Sequence, residues 1–206
     1  MRIIIVIIVA FILVKGFFKR YKPMIKGDIG EMKVKLRLKF LPKGYKIIND
    51  VMLANDKGKT VQIDHIVVGI NGVFVIETKN YTGTICGGPE EVSWKQIFQK
   101  SSHDFYNPLF QNKGHIIELR NQLKGLGNIP IYSVIAFGGN CKLMLPDSIT
   151  NVIYMNEVKN YIKAYKSDTI LKDESVERIT NLIKENNIRG FRSKRKHRIY
   201  VKQKYK

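Results

Sequence analysis

The chain reads as an α/β protein, and three observations predict that class. Two arms rich in Val, Ile, Thr and Phe flank Gly69-Ile70-Asn71-Gly72 between Thr60 and Lys79, the pattern of a β-hairpin. A second strand-like apolar run, Ile131 to Phe137, stands far downstream. Segments with helical start signals and helical periodicity lie before, between and after these strands.

The elements follow in order. Gly27 to about Leu41 is expected as a helix, because Asp28 and Glu31 have capping-box spacing, although Val34, Leu36, Leu38 and Phe40 alternate with basic residues as in a strand. Tyr45 to Leu53 reads as a strand, then the two hairpin arms, then a short strand around Thr82 to Cys86. Trp94 is expected in the core, just before a helical stretch. Asn107 followed by Pro108 is a helix N-cap with proline at the first helical position, and that helix should end before Gly125. After the strand Ile131 to Phe137, Gly138 and Gly139 fall in a loop, and Val152 to Met155 is one further strand. Two helices close the order, Asn156 to Tyr165 and Asp173 to Glu185, the second with an acid-rich first turn that suits the helix dipole. No internal repeat and no Gly-Lys-Ser/Thr phosphate loop is present.

The hairpin carries the chemistry. Side chains alternate faces along a strand, so Gln62, Asp64, Glu77 and Lys79 share a face with Ile66, Val68 and Val75. A two-residue Asn-Gly loop would set Asp64 opposite Lys79, and a four-residue loop would set it opposite Glu77. Unpaired charges on such an apolar face would cost roughly several kcal/mol, so they should meet one another, a metal or a groove. Mg²⁺ or Mn²⁺ suits this set, since Mg²⁺ takes one or two carboxylates, keeps several waters and leaves room for a phosphate oxygen. Lys79 could orient or help deprotonate an attacking water, or offset charge on phosphorus. The plainer alternative is a cross-strand salt bridge at a sheet rim, worth about 0–1 kcal/mol. Gln111 and His115 fall one turn apart on one helix face, from which they could reach a phosphate or a base edge. His65 points to the opposite face from Asp64 and reads as a packing residue.

Four stretches in order carry a resemblance. Gly27-Asp28-Ile29-Gly30-Glu31, Gln62-Ile63-Asp64-His65-Ile66-Val67-Val68, Val75-Ile76-Glu77-Thr78-Lys79-Asn80 and Asn107-Pro108-Leu109-Phe110-Gln111-Asn112 resemble the nuclease-related (NERD) domain, over about Gly27 to Leu123. That family is grouped with the restriction-endonuclease-like, PD-(D/E)xK nucleases. The resemblance implies a core with a mixed central sheet flanked by helices, metal ligation by Asp64 and Glu77, a catalytic role for Lys79 and an accessory acid at Glu31. It also implies nucleic acid as the partner, with DNA favoured over RNA. Ile63 stands where the proline that names the superfamily motif would precede Asp64.

With 206 residues, 44% hydrophobic and 10% aromatic, the chain has enough apolar material for a globular domain of ordinary size. Its beginning differs from the rest. Every residue from Ile3 to Val14 is apolar, and Phe17 and Phe18 follow. As a helix the stretch to Phe18 would extend about 24 Å, enough to span a bilayer if Lys15 snorkels and the membrane thins slightly. A signal peptide is the competing explanation, but no small-x-small cleavage site follows, which favours an uncleaved transmembrane helix. Lys15, Lys19, Arg20, Lys22 and Lys26 follow the run and only Arg2 precedes it, so the expected protein is single-pass in the cell membrane with its domain facing the cytoplasm. Cys86 and Cys141 form no CxxC pair and read as reduced thiols.

The expected organisation is a membrane anchor and basic flank over 1–22, a nuclease-like domain over 27–150, a strand and helices packing on it over 151–188, and a basic tail over 189–206. Of the net charge of +19, nine positive charges lie in the tail and six in the first 26 residues, neither stretch holding an acid, which leaves four for the middle. The tail, with Phe191, Tyr200 and Tyr205 interleaved, suits nucleic-acid phosphates or anionic lipid headgroups. The expected function is hydrolysis of nucleic-acid phosphodiesters by a membrane-anchored, metal-dependent enzyme. Two rivals are a catalytically inactive nucleic-acid-binding module and a membrane-surface adaptor. No motif encodes an oligomeric state.

Overall fold

The computed structural model describes residues 26–54 and 60–188. The expected anchor over 1–22 and basic tail over 189–206 lie outside these residues. Among the described residues no helix is long and apolar enough to cross a membrane.

The first helix, α1, runs through residues 26–38. Its sequence alternates apolar and basic residues, yet Val34 and Leu38 are buried while Leu36 and Phe40 are exposed, so the buried positions recur every four residues and not every two. Residues 26 and 27 are already helical, which places Asp28 inside the helix and overturns the capping-box reading of Asp28 and Glu31.

Among the described residues nine strands follow: β1 (Lys46–Ala54), β2 (Thr60–Gly69), β3 (Gly72–Asn80), β4 (Gly83–Cys86), β5 (Ser93–Ile97), β6 (Ser102–Tyr106), β7 (Ile131–Gly138), β8 (Cys141–Met144) and β9 (Val152–Tyr154). They are interrupted by α2 (Pro108–Gln122), which precedes β7, and are followed by α3 (Val158–Ala164) and α4 (Asp173–Glu185). The stretch after Trp94 is strand, not helix. Trp94 itself is in the core as expected, fully buried on β5 with its indole N–H donated to the Gly88 carbonyl at 2.8 Å.

One mixed central sheet was expected, and the strands form two. The main sheet has the order β1-β2-β3-β7-β9, antiparallel from β1 to β3 and parallel from β3 through β9. The smaller sheet has the order β6-β5-β4-β8, with β4 and β8 parallel. Strands β3 and β7 of the main sheet each pass into the smaller one through a sharp bend. β3 leads to β4 through Gly83, and β7 leads to β8 through Gly139, both with φ near +80°. A Cβ at Gly139 would stand 2.8 Å from Asn80 Oδ1, so neither the conformation nor the space admits a larger residue.

The main sheet is covered on both faces. Ile63, Ile66, Val73 and Val75 pack against Leu119 of α2 and Val176, Ile179 and Ile183 of α4. On the other face Val67, Phe74, Ile76, Val134 and Ala136 pack against Val34 and Leu38 of α1 and Val158 and Ile162 of α3. The smaller sheet buries Ile85 and Trp94 against Ile135 and Phe137. α1, α3 and α4 each spend an apolar stripe on a sheet face, whereas the buried face of α2 is mostly polar, with Asn112, His115 and Glu118 beside Leu119.

Candidate active site

The hairpin register decides which charges meet. His65 pairs with Ile76, Ile66 with Val75 and Gly69 with Gly72, leaving Ile70 and Asn71 as the turn. This is the register that sets Asp64 opposite Glu77. Asn71 does not sit in an exposed Asn-Gly turn. It is buried, and its amide donates to the Ile162 carbonyl at 2.7 Å, so contact with α3 fixes the loop. The paired ladder stops at His65 and Ile76, and one step further Asp64 Oδ2 accepts the Thr78 N–H at 2.8 Å.

Glu77 and Lys79, on the same face of β3, form an ion pair at 2.8 Å from Nζ to Oε1. Gln111 on α2 closes a triangle with them. Its Nε2 donates to Glu77 Oε1 at 2.8 Å, and its Oε1 accepts from Lys79 Nζ at 2.9 Å. The amide can do both because it carries a donor and an acceptor side by side. His115, one turn further along α2, is buried with Nδ1 3.6 Å from Glu77 Oε2. Gln62 leaves the expected face, because Val61 and Ile63 pack in the same cluster as Ile66 and Val68 and the alternation of β2 breaks between them; its amide donates to Asp50 Oδ1 at 3.1 Å. His65, on the opposite face, is a packing residue as expected, buried with Nδ1 2.7 Å from Asn49 Oδ1.

Two asparagines hold α2 over the site, the N-cap expected from the sequence and one that the sequence did not single out. Asn107 caps the helix, accepting from the Leu109 N–H at 2.9 Å, while its amide donates to the Glu91 carbonyl at 2.7 Å. Asn112 is fully buried and donates to the Val75 carbonyl and to Ser133 Oγ, each at 2.8 Å, tying α2 to β3 and β7. The only sequence signal for Asn112 was an amide on the helix face next to Gln111.

Electrostatics bind the group together. Burial, then repulsion from Glu77 and Glu31, pushes the Asp64 carboxyl well above the usual carboxylate range, against the Thr78 N–H and Lys79. Glu31 on α1 is therefore close enough to act on Asp64. Burial pulls the Lys79 ammonium down, but attraction to Glu77, Tyr81 and Asp64 outweighs it, and its pKa stands above that of an ordinary lysine. Glu77 Oε2 is buried without a hydrogen-bond partner.

These features fit a divalent cation. An orphaned carboxylate oxygen, and a neighbouring acid whose pKa is raised by burial and by two other carboxylates, are what a hard cation would relieve. Among the described residues no three of His, Cys, Asp and Glu gather as a metal cage. A two-carboxylate site completed by water and phosphate oxygens is the arrangement Mg²⁺ tolerates.

Comparison with known proteins shows the family of the chain. The model of the nuclease-related domain matches residues 26–138, a span holding α1, the hairpin, both sheets except β8 and β9, and Gln111. A protein of Bacillus anthracis described as uncharacterized is 35% identical over 205 residues, covering 97% of this chain and 95% of that one. No solved structure gives a significant match. The matched region takes in more than half of the chain and contains Glu31, Asp64, Glu77, Lys79 and Gln111, and the chain therefore belongs to the nuclease-related domain (NERD) family, of restriction-endonuclease-like fold.

Proposed function

We propose that this chain is a membrane-anchored nuclease that hydrolyses nucleic-acid phosphodiesters, DNA before RNA, with Mg²⁺ or Mn²⁺ held by Asp64 and Glu77. The observation that carries the reading is the triangle of Glu77, Lys79 and Gln111 beside Asp64, with Glu77 Oε2 left without a hydrogen bond. Such a cation, when bound, supplies Lewis-acid polarisation of a phosphoryl oxygen and a more acidic bound water.

The protein's own groups do the rest. Asp64 must be ionised to act as a ligand, and its raised pKa means that ion binding weakens as the pH falls. Lys79 keeps its proton at neutral pH because its pKa is raised. Its contribution is then electrostatic: the Nζ hydrogens orient the attacking water and offset charge developing on the phosphoryl oxygens. Gln111 fixes Glu77 and Lys79 relative to each other, and Glu31 raises the negative potential that attracts the ion. Residues 3–18, with the basic flank that follows, anchor the chain in the membrane and leave the domain in the cytoplasm.

The test is incubation of the purified protein with DNA and with RNA, in Mg²⁺, in Mn²⁺ and in chelator. Cleavage should require the ion, and Asp64→Asn and Lys79→Ala should each lower the rate by about 10²-fold or more. Equal cleavage by these variants, or none by wild type, ends the enzymatic reading. Calorimetric titration with Mn²⁺ checks the ion separately, since Glu77→Gln should abolish the heat of binding. DNA retained without cleavage, indifferent to the ion and lost steeply with salt, would point to a tethering module.

A further inference from the structure

Helix α1 carries two apolar stripes, and the main sheet uses one. Gly30, Val34 and Leu38 are buried. Ile29, Met32 and Leu36, with Phe40 in the turn after the helix, form a second stripe that is 44%, 60%, 49% and 74% exposed. At about 100° per residue this stripe has Lys33 and Arg37 along one edge and Lys35 and Lys39 along the other. All four basic residues are exposed, and no salt bridge ties any of them among the described residues.

We propose that α1 is an interfacial helix that lies on an anionic lipid surface, with Ile29, Met32, Leu36 and Phe40 inserted at the acyl boundary and Lys33, Lys35, Arg37 and Lys39 on the headgroups. An apolar stripe edged on both sides by long cationic side chains is the pattern of a helix in the plane of a membrane, where the alkyl stems lie along the apolar layer and the charges reach out. A second copy of the chain fits this face poorly, because it would bring these four cations against four more. Lys33, Leu36 and Arg37 also line a groove of about 630 Å³ with Phe137, Tyr154 and Met155, a largely apolar recess continuous with the stripe.

Chain length places α1 at the surface. Seven residues separate Phe18 from residue 26, and fully extended they reach about 25 Å. If residues 3–18 are in the bilayer, as the proposed anchoring has it, α1 begins within that distance of it. The inference rests on that anchoring and not on catalysis. It also agrees with access to the site: α1 covers the sheet face opposite the one bearing Glu77, so docking through α1 leaves α2 and the smaller sheet toward water.

The test uses the full chain reconstituted in phosphatidylcholine–phosphatidylglycerol vesicles with brominated acyl chains, which quench tryptophan on contact. The one native tryptophan, Trp94, is fully buried and serves as a silent background. Phe40→Trp should be quenched at least twofold relative to unbrominated vesicles. Val92→Trp, exposed beside the smaller sheet, should not be quenched. Adding Lys33→Glu and Arg37→Glu to Phe40→Trp, or omitting phosphatidylglycerol, should remove most of the quenching. A chain that floats with the vesicles but shows no quenching at position 40 overturns the inference and leaves the anchor standing. A chain that does not float removes the anchor and the inference together. Protection of the introduced indole in Phe40→Trp that depends on protein concentration and not on bromine would identify a second copy as the occupant and overturn it likewise.

Discussion

Replacing Lys79 with alanine tests the electrostatic account of the site through stability, before any activity is measured. Glu77 is 5% exposed at its side chain and Lys79 15%, so the pair is largely withdrawn from water. Removing one member of a buried pair leaves the other charge uncompensated, at a cost of about 3–5 kcal/mol. Gln111 Nε2 still donates to Glu77 Oε1 at 2.8 Å in the variant, which argues for the lower end, about 3 kcal/mol. For a domain of this size that loss lowers Tm by about 6–12 °C. Urea denaturation of wild type, Lys79→Ala, Glu77→Gln and the double variant forms a cycle. The double variant should recover most of the loss, with a coupling of at least about 1.5 kcal/mol. Additive effects, or a cost for Lys79→Ala under about 1 kcal/mol, would show a solvated pair of the surface kind and refute the reasoning. Activity of the variant must accordingly be read on its folded fraction.

Two further outcomes follow from particular side chains. His65 is buried, and burial lowers its pKa from 6.5 to about 4, so the native state stays neutral where the unfolded chain takes up a proton. Its contribution is complete above pH 6.5 and lost as the pH falls toward 4, at about 1.4 kcal/mol per unit and about 3 kcal/mol in all. Asp64, with a raised pKa, acts with the opposite sign: acidification through that pKa relieves a penalty in the native state. Urea midpoints at pH 7 and pH 5 should therefore diverge less in His65→Gln than in wild type, and an unchanged difference would rule out His65 as the source. Asn112→Ala removes the donors to the Val75 carbonyl and Ser133 Oγ and should cost about 2–3 kcal/mol in the same assay. Because Asn112 sits beside Gln111 on α2, the proposed nuclease activity should fall further than the loss of folded protein explains.

Much of the architecture was legible from local pattern. The hairpin arms, the strand Ile131–Gly138, α2 from its Asn107-Pro108 cap, and α4 from its acidic first turn all stand where periodicity and caps put them. β5, β6 and β8 were missed for a physical reason. Ser93–Ile97 has a single buried residue and Ser102–Tyr106 has none, so their sequences lack the apolar alternation that marks a half-buried sheet, and only pairing with neighbours makes them strands. In α1 two stripes of apolar residues overlapped in sequence and imitated a strand, and one of them faces outward.

The residues alone determined that Glu77 and Lys79 share a face, by side-chain alternation along β3, although β2 breaks that alternation between Ile63 and Ile66, which pack in one cluster. They also set the charge at the two ends of the chain and the helix start that brings Gln111 to the sheet. Which acid stands opposite Asp64 was decided only in the folded molecule. Asn71 is drawn into contact with Ile162 and Tyr165, and that long-range contact selects the Ile70-Asn71 turn over the alternatives the hairpin sequence admits. The perturbed pKa of Asp64 is likewise a tertiary property, since it needs burial and the approach of Glu31 from α1, a helix more than thirty positions away in the chain. Local sequence fixes direction along an element, while distance between elements follows from packing.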